Sequence, residues 1–186
     1  MTDRRPAVVP AVIARGGRGA VTSPHHLASQ AGLGILRSGG SAVDAAIGTN
    51  AALAVTSSFM CGLGGDAFWL IHDAETTTTT ALNGSGRSAA GATIEAARAA
   101  GLEQMPVRGA WTVTVPGAVD SWRVAHERHG RLPWAQLFEP AMELASDGFP
   151  AGAGWVSAIA GATKAFGATS DWARTFRPLG RDWRLG

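Results

Sequence analysis

Apolar residues recur along this chain in two rhythms, one at helical spacing and one of short continuous or alternating runs. Leu27, Ala31 and Ile35 form one helical row, with Ala28, Gly32 and Leu36 beside it. Ser23-Pro24 ahead of them offers an N-cap and a proline for the first helical position, and Gly39 stops the run. Glycines inside this helix cost stability but allow a neighbour close approach. Ser41-x-x-Asp44 is a capping-box start for a second helix, and Val43–Val55 is apolar nearly all round, as expected of a helix buried between layers. Ala67–His72 is a continuous apolar run and predicts a strand buried on both faces. Asp73-Ala74-Glu75 reads as the hairpin connection to an antiparallel strand over Thr76–Leu82, where a run of threonines suits a pleated ladder.

The second half is less regular. A short helix is expected over Ile94–Ala100, capped by Thr93 and stopped by Gly101. Trp111, Val113 and Val115 alternate with Thr112 and Thr114, which predicts a half-buried strand over Ala110–Val115. Pro116 opens a helix ending near Gly130, and Leu132–Asp147 is helical with an interruption at Pro140. Beyond Phe149 follow an Ala/Gly-rich helix and an Arg/Trp-rich tail. Ala20-Val21-Thr22 is a further short strand. Residues 1–19 read as a loose leader and residues 20–186 as one partial domain without repeats.

Composition narrows the function classes. Hydrophobic residues make up 46% and charged residues 16% of the chain, which is the balance of a globular protein with a buried core. The formal charge is +2 and the basic residues form no run, so a nucleic-acid-binding stripe is not expected. Cys61 is the single cysteine, which rules out an intramolecular disulfide. Ala45 to Gly65 carries no charge, but Asn50, several Ser and Thr residues and four glycines interrupt it, so it reads as core, not as a membrane span. The apolar stretch Ala7–Ala14 is short and contains Pro10, unlike a signal peptide, and a cytoplasmic location is expected.

Strings of adjacent residues carry a family resemblance. Gly39-Gly40-Ser41-Ala42-Val43-Asp44-Ala45-Ala46, Cys61-Gly62-Leu63-Gly64-Gly65-Asp66-Ala67-Phe68, Val115-Pro116-Gly117-Ala118-Val119 and the stretch from Gly130 to Pro150 closely resemble the N-terminal part of γ-glutamyltranspeptidase precursors. The resemblance runs from about Ala20 to about Phe149. It implies an α+β fold of the N-terminal-nucleophile-hydrolase type, an αββα sandwich present here incompletely, as helices plus part of the central sheets. It also implies amide hydrolysis or acyl transfer by a threonine that self-cleavage exposes far downstream, its own amine serving as base. No catalytic residue of that kind lies in this chain. The implied partners are a small amide or γ-glutamyl substrate and the nucleophile-bearing remainder of the precursor, with no cofactor.

Thr76–Thr80 is the one threonine run, but it leads into Ala81-Leu82-Asn83 and lies in the first half of the chain, so it reads as a strand. Asn83-Gly84-Ser85-Gly86-Arg87-Ser88-Ala89 is the expected contributor to a binding site through Asn83, Ser85 and Arg87. Glutathione-handling members resemble Asp-x-Arg-Glu-x-Ala-Pro at this turn, and their arginine clamps a substrate carboxylate. Here Ser85 occupies that arginine position and Arg87 follows two residues later, without the acidic neighbour. The departure resembles the branch acting on small oxo-acid amides, together with acylase-like enzymes. Two readings of Arg87 stay open, a bidentate carboxylate clamp and a solvated loop arginine.

Gly64, Gly65 and Asp66 are expected to form a site-wall turn, with positive φ at the glycines and a hydrogen-bond network at Asp66. The turn lacks the lysine of a phosphate cradle. His126 and His129 have helical zinc-site spacing without an evident third ligand, so no metal is expected and both read as surface residues. Glu139 and Glu143 read as solvent-facing, and Cys61 as an inert buried thiol. The leading function is thus the N-terminal segment of a γ-glutamyltranspeptidase-like amidohydrolase or acyltransferase. The alternative is a non-catalytic binding module built on the same scaffold.

Overall fold

The computed structural model describes residues 15–166, 171–177, 180 and 183–185. The expected leader over residues 1–19 lies mostly outside the described residues, and residues 15–19 are exposed and form no regular element. Helix α1 (His26–Arg37) and helix α2 (Ala42–Thr56) pack side by side. Glycine makes this possible: a Cβ at Gly32 would lie 2.0 Å from Thr49 Oγ1, and one at Gly48 would lie 2.0 Å from Ile35 Cδ1. Each helix therefore presses backbone against the other's side chains, the close approach expected of glycine in a helix.

The capping box at the start of α2 is complete. Asp44 N donates to Ser41 Oγ at 3.0 Å, and Ser41 N donates to Asp44 Oδ2 at 2.8 Å. Helix α2 is the centre of the fold because its apolar residues leave no side suited to water. It packs against α1, against α4 (Ala118–His129), against a 3-10 turn at Trp134–Phe138 and against α5 (Glu139–Asp147). Ala28, Ile35, Ile47, Ala52, Trp122 and Leu137 form the core of this cluster. Fully burying a side chain the size of Ile47 or Leu137 is worth about 1.5–3 kcal/mol.

Strands β1 (Ala67–Asp73) and β2 (Thr78–Gly84) form an antiparallel hairpin, from Ala67 paired with Gly84 to Asp73 paired with Thr78. Trp69, Ile71 and Leu82 turn toward the core. Phe68 and Leu70 point the other way and are 72% and 79% exposed. The run expected to be buried on both faces is thus buried on one, because no described segment covers the other. Helix α4, rather than the all-apolar α2, makes the principal helix contact with both strands. Among the described residues this hairpin is the whole sheet, so helices and one two-stranded sheet stand where the resemblance implies a sandwich.

Other boundaries move for local reasons. Helix α1 begins after Pro24, with His25 as its N-cap. Strand β2 starts at Thr78, since Asp73 Oδ1 accepts from Glu75 N and Thr76 N and draws Thr76 and Thr77 into the turn. Pro140 lies in the first turn of α5, where its missing N–H costs nothing. Neither Ala20–Thr22 nor Ala110–Val115 is a strand. Ala110–Thr112 is a 3-10 turn, and only Thr114 makes a bridge, to Ser88, because no ladder lies beside these segments. Helix α3 (Ile94–Ala99) carries the expected Thr93 cap, while α6 (Ala153–Phe166) and α7 (Asp171–Phe176) follow α5. No described helix is long and apolar enough to cross a membrane.

Candidate functional site

Because Ala67 pairs with Gly84, the turn entering β1 and the turn leaving β2 meet at one end of the hairpin. The segment before α4 joins them. Gly117 N and Ala118 N donate to Gly65 O at 3.2 and 2.9 Å, so the start of α4 is tied to the glycine-rich turn. Val115 N donates to Arg87 O at 2.9 Å beside the Ser88–Thr114 bridge. Asp66 Oδ1 accepts from Gly86 N at 3.2 Å and from Thr114 Oγ1 at 3.3 Å. Three segments distant in sequence are thereby knitted into one lip.

The close packing of this lip depends on glycines other than those expected. A Cβ at Gly86 would fall 1.5 Å from Val115 O, and one at Gly117 would fall 2.4 Å from Gly84 O. By contrast Gly62 and Gly64 face open space, and none of Gly62, Gly64 and Gly65 has positive φ. The expected left-handed turn there is not formed, because the bonds from the start of α4 close the turn with ordinary backbone angles. Beneath the lip, Trp69 Nε1 donates to Ser121 Oγ at 3.0 Å, and the Ser121 hydroxyl donates to Ala118 O at 2.6 Å. Ser121 is buried directly under Gly84. Sequence reasoning did not single out Gly86, Gly117 or Ser121, whose roles consist of backbone approaches between distant segments.

The predicted binding residues stand together on this lip. Asn83 Oδ1 accepts from Ser85 N at 2.9 Å, an Asx turn that shapes the exit from β2. The Ser85 and Arg87 side chains are exposed. Among the described residues Arg87 has no ion pair or side-chain hydrogen bond, so its guanidinium presents its donors to solvent. A planar fork on an ordered backbone suits bidentate pairing with a carboxylate.

The threonine run is elsewhere. Thr78 pairs with Asp73 at the opposite end of the hairpin, roughly 20 Å away at ~3.4 Å per residue. Thr79 Oγ1 meets His72 Nδ1 at 2.9 Å, but the two are directly opposite in the ladder and exposed, an ordinary cross-strand pair. Glu139 and Glu143 are exposed as expected. Cys61 is half-buried where full burial was expected. His126 departs further from expectation: it is largely buried, with Nε2 donating to Leu132 O at 2.9 Å. No group of three or more His, Cys, Asp or Glu suited to a metal occurs among the described residues. A cleft of about 720 Å³ between residues 18–24 and α2, lined in part by Arg18, Asn50 and Arg131, shares no residue with the lip.

The family model described as Gamma-glutamyltranspeptidase matches residues 28–186. A glutathione hydrolase-like proenzyme (YwrD) of Bacillus subtilis is 48% identical over 134 residues, covering 72% of this chain and 25% of the relative. An oxamate amidohydrolase proenzyme of Klebsiella pneumoniae is 43% identical over 148 residues, covering 76% of this chain and 28% of the relative. The crystal structure of Helicobacter pylori γ-glutamyltranspeptidase matches with a TM-score of 0.85 at 28% identity, covering 94% of this chain and 51% of that one. That of a cephalosporin acylase from Bacillus halodurans matches with a TM-score of 0.82 at 36% identity, covering 100% and 36%. The chain spans about a quarter of the length of these curated relatives.

Proposed function

The chain belongs to the γ-glutamyltranspeptidase family, and from that premise we propose that it is the N-terminal, large-subunit portion of a proenzyme that cleaves an amide or transfers its acyl group. In such an enzyme the amine of a terminal threonine takes the proton of its own hydroxyl. Oγ then attacks the amide carbonyl, the amine leaves, and water or an acceptor amine releases the acyl group. The threonine belongs to the rest of the precursor. This chain builds the scaffold and one wall of the site.

The observation that carries this reading is the exposed Arg87 guanidinium on a turn tied to β1 and α4 by backbone bonds. In this reading it clamps the carboxylate of an acyl donor, with Ser85 and Asn83 beside it. Ser85 at the arginine position of the glutathione-handling pattern favours a small oxo-acid amide over a γ-glutamyl donor, and the likeness to an oxamate amidohydrolase agrees. The bare Phe68–Leu70 face of the sheet is the surface against which the remainder of the precursor would pack.

The test is to express the whole precursor, follow its self-cleavage on a gel, and assay the processed enzyme with oxamate and γ-glutamyl-p-nitroanilide. Cleavage with faster release of ammonia from oxamate is expected. A processed enzyme that hydrolyses neither substrate would overturn the reading, and the 186-residue chain alone should turn over neither.

A further inference from the structure

We infer that Asp66 is a positioning residue for the substrate wall, holding the middle of the Asn83–Arg87 turn so that Arg87 projects from a fixed backbone; this rests on the reading of Arg87 as a clamp. The two ends of the turn are held without help from Asp66. At one end Gly84 pairs with Ala67 and Asn83 closes its own Asx turn. At the other, Arg87 O accepts from Val115 N, and Ser88 bridges Thr114. Gly86 lies between these anchors, and among the described residues no backbone carbonyl takes its N–H. Asp66 Oδ1 does, and the same oxygen accepts the Thr114 hydroxyl.

An ionised carboxylate is suited to this position. It accepts from both donors at once, and charge strengthens each bond relative to a neutral acceptor. Glycine at position 86 leaves no side chain to restrain the turn, because a Cβ there would strike Val115 O. The restraint must therefore come from a neighbouring segment. Asp66 is exposed and buries no core surface, so its removal should loosen the turn and leave the fold intact.

The test uses the processed full-length enzyme and a double-mutant cycle of Asp66→Ala with Arg87→Ala. KM and kcat are measured on oxamate and on uncharged oxamide, beside hydrogen exchange of the peptide covering residues 84–90. Asp66→Ala should raise KM for oxamate by about tenfold with kcat within about threefold, the scale of one lost hydrogen bond to a charged group. Oxamide should be affected much less. Asp66→Asn, which keeps an acceptor oxygen without the charge, should recover part of the loss, and Asp66→Ala should add little in the Arg87→Ala background. Exchange over residues 84–90 should quicken in Asp66→Ala with thermal unfolding unchanged. Unchanged exchange, full additivity of the two substitutions, or failure of asparagine to rescue would each overturn the positioning role. An unchanged KM in Arg87→Ala together with quickened exchange in Asp66→Ala would instead defeat the clamp and leave the ordering of the turn by Asp66 standing.

Discussion

Asp44 Oδ1 lies 3.7 Å from His126 Nε2 without a hydrogen bond, because that ring nitrogen donates to Leu132 O at 2.9 Å. The other carboxylate oxygen, Oδ2, accepts from Ser41 N, and from Arg131 N and Leu132 N at 2.9 and 3.2 Å. One buried carboxylate thus caps α2 and pins the loop that follows α4. Asp44→Ala strands three amides in a site with no solvent exposure and should cost about 3 kcal/mol. Asp44→Asn should cost less than alanine, since one oxygen remains for the amides, although its NH2 group would face the His126 N–H, donor against donor. Urea unfolding of the processed enzyme checks this, and a loss below about 0.5 kcal/mol for alanine, the scale of an unconstrained surface change, would disprove the pin.

Two glycines of one lip should respond oppositely to alanine. Gly86→Ala places a methyl on the Val115 carbonyl and should cost about 1–3 kcal/mol while displacing the turn. Gly64→Ala meets open space at ordinary backbone angles and should stay within about 0.5 kcal/mol of the parent. Equal midpoints in denaturant for the two variants would contradict the packing described.

His25 makes the α1 cap sensitive to pH. Its Nδ1 accepts from Leu27 N at 3.3 Å, which requires that nitrogen to be unprotonated. Partial burial, and then the nearby charge of His26, hold its pKa below the ordinary 6.5. In the window between the folded value and 6.5 the unfolded chain binds more protons than the native one. Stability therefore rises with pH through that window, and the cap's contribution is lost as pH falls through the folded value. His25→Asn keeps a capping acceptor that does not titrate, and should flatten this part of the stability–pH profile. A profile unchanged by the substitution would assign the effect to other groups.

Arg87→Lys should damage the enzyme even though the charge is kept, because an ammonium cannot reproduce the bidentate fork. The expected loss is on the order of 1.5–3 kcal/mol, or roughly ten- to a hundredfold in kcat/KM for a carboxylate-bearing donor. An amide without that carboxylate should lose much less, and folding should be unaffected. Parallel losses on both substrates would make Arg87 structural.

Phe68 and Leu70 stand on the uncovered face of the hairpin. The double substitution Phe68→Ser with Leu70→Ser should leave the melting temperature of the isolated chain within a few degrees and reduce its binding of a hydrophobic dye. In the whole precursor the same change should impair assembly and self-cleavage. Normal processing of the doubly substituted precursor would show that this face is not an internal interface.

Much of the fold was legible in the residues taken alone. The Ser41–Asp44 capping box, the apolar periodicity of α1 and the hairpin around Asp73 are made by groups a few residues apart, so their pattern survives in the sequence. The family resemblance was legible for a similar reason, since unbroken strings carried it. Asn83, Ser85 and Arg87 were recognisable as a group because they share one turn.

Tertiary structure alone decided the rest. Nothing local to Asp44 announces the amides of Arg131 and Leu132, which lie 87 and 88 residues further on. Glycine at 86 and 117 looks no different in sequence from glycine at 62 and 64. Only the first pair is needed, because backbone from a distant segment passes within contact of it. His126 reads as a surface residue because a polar neighbourhood in sequence does not reveal the Leu132 carbonyl that its ring nitrogen meets. Ala110–Val115 has the alternation of a strand, but a strand also requires a partner, and partners are supplied by packing. Short-range hydrogen bonds and side-chain periodicity are written into neighbouring residues, whereas backbone approaches between distant segments exist only once the chain has closed on itself.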